Sequence, residues 1–286
     1  MMIGLGIGTN FFQPPIGAAA PFVGPLDELQ SQGAQFLYVS SVNRLFTSHT
    51  GNAMRLQGNG TGSPEADISF LANGQLDLAA AAAIAAQDGG TAAFGVNWYT
   101  QAGSFEATQP TAASRMQFST ALNAKGGWGD GSAAQTNFNI NLGTVSFPFY
   151  VSAVVKTVNS ATSRVLLGTS ASTSNRYMRT NNGAMQQNWG TSLNGTASEV
   201  SDGLHVLGFL ANGSSSKHFL DGSLLLTGNA NTTQSTMTSG RIGGSGTTSW
   251  LNTDGQAIFE MVIFNGDPTG LAGFSAFQAN QLARFS

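Results

Sequence analysis

The groups available for catalysis are few. The 286 residues hold 14 acidic side chains, three histidines and no cysteine. The missing thiol excludes a cysteine nucleophile, a disulfide scaffold and a thiolate metal site. His49, His205 and His218 are scattered without ligand spacing, which argues against a zinc cluster. Acid–base work would therefore fall to carboxylates. Glu65 and Asp67 lie together, and Asp254 and Glu260 lie on or just before an apolar segment. Strand alternation puts Glu260 on one face with Ile258 and Val262. Asp67 reads as a turn or hydrogen-bonding residue. No Ser-His-Asp set is evident. The stretches "GIGTN" and "GGSG" lack the strand–helix context of a phosphate loop, and nothing calls for a cofactor. Two polar stretches, "RYMRTNNG" at 176–183 and "RIGGS" at 241–245, hold no carboxylate at all.

Sugar rings can stack on aromatic faces, and Trp98, Tyr99, Trp128, Trp189 and Trp250 supply them. Most aromatics of a β-protein are core. Trp128 and Trp250 sit in Gly- or Ser-rich stretches, so these two are the candidates for glycan contact.

The elements that must position such groups are mainly strands. Only 9% of residues are charged against the usual quarter or so, and glycine numbers 37. A polar, uncharged surface suits strands, turns and long-lived assemblies. The net charge of −3 offers nothing to nucleic acid or an anionic membrane. A helix is predicted after Pro25, within 24–34, and another at 76–87, "LDLAAAAAIAAQ", stopped by "DGG". Segment 36–57 reads as strand, turn, strand; 94–103 as a strand running into a turn; and 125–132, "KGGWGDGS", as a loop. Strands follow at 149–158, with Val151, Ala153 and Val155 on one face, and at 164–170, 203–213, 216–228 and 256–266. Asp221-Gly222 between apolar runs predicts a type I′ hairpin turn. The last stretch, 267–285, shows helical spacing at Leu271, Phe274, Phe277 and Leu282. Many short strands with turns between them imply an all-β antiparallel sandwich over 24–286. Residues 1–23 lack the basic start of a signal peptide, and no stretch suits a bilayer span. They read as an extended arm whose apolar residues dock onto a neighbouring subunit.

Several stretches together resemble the catalytic domain of the α-L-arabinofuranosidase B family. They are "RLFTSHTGNAMRLQ" followed by "ADISF", then the alanine helix, "WYTQAG" and "ATQPT", and finally "IGGS", "IFEMV" and "FQANQLARF", in the family's order. The resemblance implies a concanavalin A-like β-sandwich, or jelly roll. It also implies a retaining site with two carboxylates, roughly 5–5.5 Å apart in such enzymes. The family nucleophile lies in a "DLENG" segment, matched here by "RTNNG" at 179–183, which puts Asn181 at the nucleophile, Arg179 at a substrate-contacting Asp, and Asn182 beside them. The acid/base Asp of "IGGD" is matched by Ser245 after Gly244. An amide is a poor nucleophile and a hydroxyl a poor general acid near neutral pH. The family's vicinal cysteine pair is missing too, and the family has a Glu matching Glu260 outside its catalytic pair, so the resemblance implies a structural role for it.

Sandwiches of this kind without catalytic residues resemble structural proteins of tailed phages, whose chains often begin with a segment like "IGLGIG" at 3–8. The expectation is a non-enzymatic virion protein, a capsid decoration or tail-associated component assembled in the host cytoplasm. Its partners would be other virion proteins, further copies of itself (a trimer would match many virion sites) and a host surface glycan. The alternative is a carbohydrate-binding module or a divergent hydrolase.

Overall fold

The computed structural model describes residues 21–129, 136–158, 163–169, 176–245, 248–249 and 256–286. The arm at 1–23 lies outside these except for its last three residues.

The chain is an all-β sandwich in which one continuous antiparallel sheet folds over into two layers. In the first layer the strands run in the order Ser223–Gly228, Ser216–Leu220, Gly203–Ala211, Phe149–Thr157, Ala257–Phe264 and Phe36–Ser41. The second layer runs Glu65–Ile68, Met54–Gly58, Ala93–Trp98, Ala107–Thr108, Phe138–Ile140, Gly240–Ile242, Arg164–Thr169, Tyr177–Asn181, Ala184–Asn188 and Ser192–Asn194. One buried cluster joins inward residues of both, among them Val151, Ala153, Val155, Met261 and Ile263 from one layer and Leu56, Trp98, Leu167 and Met178 from the other.

The central strands Phe149–Thr157 and Ala257–Phe264 are apolar along nearly their whole length because both of their faces are covered. Their outward side packs under the helix Phe274–Phe285, where Tyr150, Val262, Phe264, Phe274 and Phe277 form a second cluster with Leu26, Leu29 and Phe46. A bulge at Phe259 shifts the register between Val154–Glu260 and Val155–Ile258. The extra residue corrects the simple alternation expected from sequence. Ile258 joins the inner core, whereas Glu260 faces the helix with Val262.

The predicted helices form at Asp27–Ser31, Leu78–Ala86 and Phe274–Phe285. Asp77 caps the alanine helix by accepting from Ala80 N at 2.9 Å, and Asp88 leaves the helical region at φ 53° where "DGG" stops it. The Asp221-Gly222 hairpin has positive φ at both residues, 49° and 82°, as a type I′ turn requires. The loop expected at 125–132 is instead the strand Gly127–Gly129 for its described part, paired with Gln117–Ser119 and Ala257–Phe264.

Candidate functional site

Alternation along the second layer sends one side chain of each strand outward at the same level. Cross-strand partners place these side by side in the order Asp67, Arg55, Asn97, Thr108, Asn139 and Arg241. Their immediate neighbours Ile68, Leu56, Trp98, Ala107, Ile140 and Ile242 point inward and are buried. The result is a polar row across six strands, about 24 Å long at the usual spacing between neighbouring strands. All six members are at least partly exposed.

At one end Arg55 Nε lies 3.4 Å from Asp67 Oδ1 and 3.9 Å from Glu65 Oε2. Tyr99 donates its hydroxyl to Asp67 Oδ1 at 2.8 Å. Burial, and then the Asp67 carboxylate, push the Tyr99 hydroxyl up to about 12, so it remains a donor. Toward the other end a cavity of about 400 Å³ opens on the row, lined by Glu106, Thr108, Asn139, Asn141, Ser239 and Arg241 among others. Amide, hydroxyl and guanidinium groups at this spacing can hydrogen-bond a polyhydroxylated ligand. Glu106 is the one carboxylate among the described residues lining the cavity.

The residues singled out from sequence fall nearby. Tyr177, Arg179 and Asn181 share one face of the Tyr177–Asn181 strand. The Arg179 guanidinium lies 4.1 Å from the Tyr177 ring centroid, a cation–π contact. Its Nε donates to Gln186 Oε1 at 2.9 Å and its Nη1 to Ser163 Oγ at 3.2 Å. Asn181 closes the strand opposite Ala184, with Asn182 and Gly183 at φ 52° and 70° between them. That is a second type I′ turn, so Asn182 and Gly183 have a conformational reason to be there. Gly244–Ser245 forms a two-residue strand following Gly240–Ile242, which pairs with the Arg164–Thr169 strand. Arg164–Thr169 pairs on its other side with Tyr177–Asn181, so Asn181 and Ser245 belong to stretches two strands apart, about 10 Å backbone to backbone.

Trp128 is corrected. It is fully buried, in contact with Trp98, Phe118 and Phe138 at centroid distances of 5.8, 5.2 and 4.8 Å. Its flanking glycines admit close packing rather than marking a loop: a Cβ at Gly127 would lie 2.7 Å from Phe259. A glycan cannot reach this ring. Trp98 and Trp189 are buried as expected, and Trp250 lies outside the described residues.

Two arrangements were not legible from sequence. Glu260, fully buried, accepts from Ser41 Oγ at 2.9 Å, Gln281 Nε2 at 2.8 Å and Arg284 Nη2 at 2.8 Å to each oxygen. This satisfies a buried carboxylate and ties the last helix to the sheet. The second is a Ser-His-Asp set, which the sequence reading did not find. His205 Nδ1 lies 2.9 Å from Asp221 Oδ2, and Nε2 lies 3.3 Å from Ser201 Oγ and 3.1 Å from the Ser201 carbonyl. A carbonyl can only accept, so Nε2 donates and is not a base for the hydroxyl. The hydrogen bond to Asp221 raises the His205 pKa, which favours the doubly protonated ring. The set is a clasp between a loop and a hairpin turn. The Asp221-Gly222 hairpin signal was its one trace in sequence. Among the described residues no group of three or more His, Asp or Glu side chains could hold a metal ion.

No protein-family model and no curated protein matches the sequence. Among solved structures the chain is similar to arabinofuranosidases. An arabinofuranosidase complexed with arabinofuranosyl-α-1,2-xylobiose superimposes with a TM-score of 0.70 at 15% identity over 91% of this chain. A GH54 α-L-arabinofuranosidase soaked with a cyclic sulfate inhibitor gives 0.67 at 16% identity, again over 91%. In both cases the match covers 65% of the other chain. At this identity the likeness is one of fold.

Proposed function

We propose that this protein is a non-hydrolytic virion structural protein, a capsid decoration or tail-associated component, whose sandwich presents a glycan-contacting face. The observation that carries the reading is the polar row with its cavity. Asn97, Thr108, Asn139 and Arg241 offer hydroxyl-binding groups in register on a partly exposed sheet face. Retaining hydrolysis needs two carboxylates about 5–5.5 Å apart, and Glu106 stands alone among the described lining residues. Asp67 is four strands from Asn139 and engaged with Arg55 and Tyr99. An amide at 181 and a hydroxyl at 245 supply neither nucleophile nor acid. The low share of charged residues supports a long-lived assembly over a freely diffusing enzyme. A divergent arabinofuranosidase is the second reading, favoured by the fold likeness over 91% of the chain.

The test is a glycan array run beside an aryl arabinofuranoside hydrolysis assay, with antibody labelling of purified particles. Binding without turnover, and label on the particle surface, are expected. Turnover lost on Asn181→Ala or Ser245→Ala would overturn the non-hydrolytic reading. Absence of the protein from particles would overturn the virion reading.

A further inference from the structure

The first layer ends at an open edge. The strand Ser223–Gly228 pairs with Ser216–Leu220 on one side, and among the described residues no strand pairs with the other. Unpaired edges are usually blunted by charge, proline or a covering segment. Here the six residues, "SLLLTG", contain neither charge nor proline. Leu224 and Leu225 are 53% and 39% exposed, two of only four large apolar side chains exposed among the described residues. A row of free backbone donors and acceptors beside exposed leucines is chemically specific: its complement is an extended, uncharged, apolar segment.

The chain contains such a segment. Residues 1–20 carry no charged side chain. Within them Ile3, Leu5 and Ile7 alternate with Gly4, Gly6 and Gly8. That is the period of a strand, with an apolar side and a side bare of side chains. A strand of this kind can lay its backbone along an edge while its bare side tolerates whatever lies behind. Twenty residues reach about 66 Å when extended, enough to cross to a neighbouring molecule. We infer that the Ser223–Gly228 edge receives residues 3–8 of a second copy of this chain as an added β-strand. At Phe22, near the end of the arm, Arg44 stacks over the ring at 4.1 Å and Thr47 Oγ1 lies 3.4 Å from the carbonyl oxygen. Those contacts hold the arm's root, Phe22, on its own subunit. The inference rests on the assembly half of the proposed function, and it names the contact.

The experiment compares the full chain, a version lacking residues 1–20, and the full chain with Leu224→Lys and Leu225→Lys. Sedimentation reads oligomeric state, and a labelled peptide of residues 1–20 is titrated onto the shortened protein. Circular dichroism and the urea midpoint confirm that each variant is folded; both leucines are exposed, so little change is expected. The full chain is expected to form oligomers, and the other two to be monomers. The peptide is expected to bind one-to-one and at least about tenfold more weakly when the edge carries lysines. No peptide binding, or oligomers unaffected by removing residues 1–20, overturns the inference. Oligomers that survive the truncation but not the lysines indicate direct edge-to-edge pairing and also overturn it. A monomeric full chain whose Ser223–Gly228 amides are protected from exchange only when residues 1–20 are present indicates pairing within one molecule, which overturns the second copy as the source. Antibody labelling of particles tests the assembly role whatever these outcomes are, so the two proposals fail separately.

Discussion

Asp221 binds His205 and the backbone beside it at once: Oδ2 lies 2.9 Å from His205 Nδ1, and Oδ1 accepts from Val206 N at 2.7 Å. The carboxylate therefore fixes a hairpin turn to the start of the Gly203–Ala211 strand, and His205 passes the tie on to Ser201. Because the pKa of His205 is raised in the folded state, its contribution is fully present below the unfolded value of about 6.5 and is lost as pH rises through the folded pKa. Asp221→Asn keeps a residue that tolerates positive φ but removes the charge. The wild type is expected to exceed this variant in urea midpoint at pH 5.5 and to converge on it by pH 9. A histidine titration by NMR should show the His205 pKa falling in the variant. An unchanged pKa would show that Asp221 does not set it.

The other core histidine has the opposite sign. His218 is fully buried beside Phe209 with neither ring nitrogen partnered among the described residues, and burial pushes its pKa down to about 4. The unfolded chain then binds a proton between pH 6.5 and 4 that the native chain refuses, so stability falls as pH drops through that window. The full loss is about 3 kcal/mol for a difference of this size. His218→Phe is expected to remove this acid slope from the urea midpoint while leaving stability near pH 7.5 equal or higher. A slope unchanged in the variant would place the acid sensitivity elsewhere.

Glu260 and Arg284 couple the final helix to the sheet. Arg284 is the charge partner of a carboxylate that has no exposure of its own. Arg284→Ala strands that charge with, among the described residues, only Ser41 and Gln281 to solvate it, and should cost about 3–5 kcal/mol. Glu260→Gln with Arg284→Met removes both charges and should recover much of the loss. A double-mutant cycle by urea unfolding measures the coupling. Additive losses would show that the pair does not interact.

Much of the fold was legible because it follows from local pattern. Alternating Val151, Ala153 and Val155, the alanine run after Asp77 and the Asp221-Gly222 turn each form the element their chemistry dictates. What escaped was set by contacts distant in sequence. Gly127 and Gly129 look like loop residues until Phe259 and the aromatic cluster around Trp128 are in place. The face that Glu260 takes depends on a bulge that alternation does not foresee. The polar row draws single residues from six strands between Asp67 and Arg241, so no local motif announces it. Asn181 and Ser245 could be picked out only through family resemblance, since nothing about an amide or a hydroxyl marks a lost carboxylate.

The polar row and the aromatic core beneath it can be separated by mutation. Asn139 is exposed and faces the cavity, so Asn139→Ala removes hydrogen-bonding capacity without disturbing packing. It should weaken glycan binding by about 1 kcal/mol, or roughly fivefold, and shift the urea midpoint by no more than a surface substitution does. Gly95 lies on the same strand as Asn97, but a Cβ there would come within 2.4 Å of Phe138 and 2.6 Å of Trp128. Gly95→Ala therefore overpacks the core, at about 1–3 kcal/mol, and should alter tryptophan fluorescence. If the row is the binding face, Asn139→Ala changes affinity alone, and Gly95→Ala chiefly stability. Glycan binding that survives both Asn139→Ala and Thr108→Ala would place the ligand off this face, because these two residues are a cross-strand pair that lines the cavity.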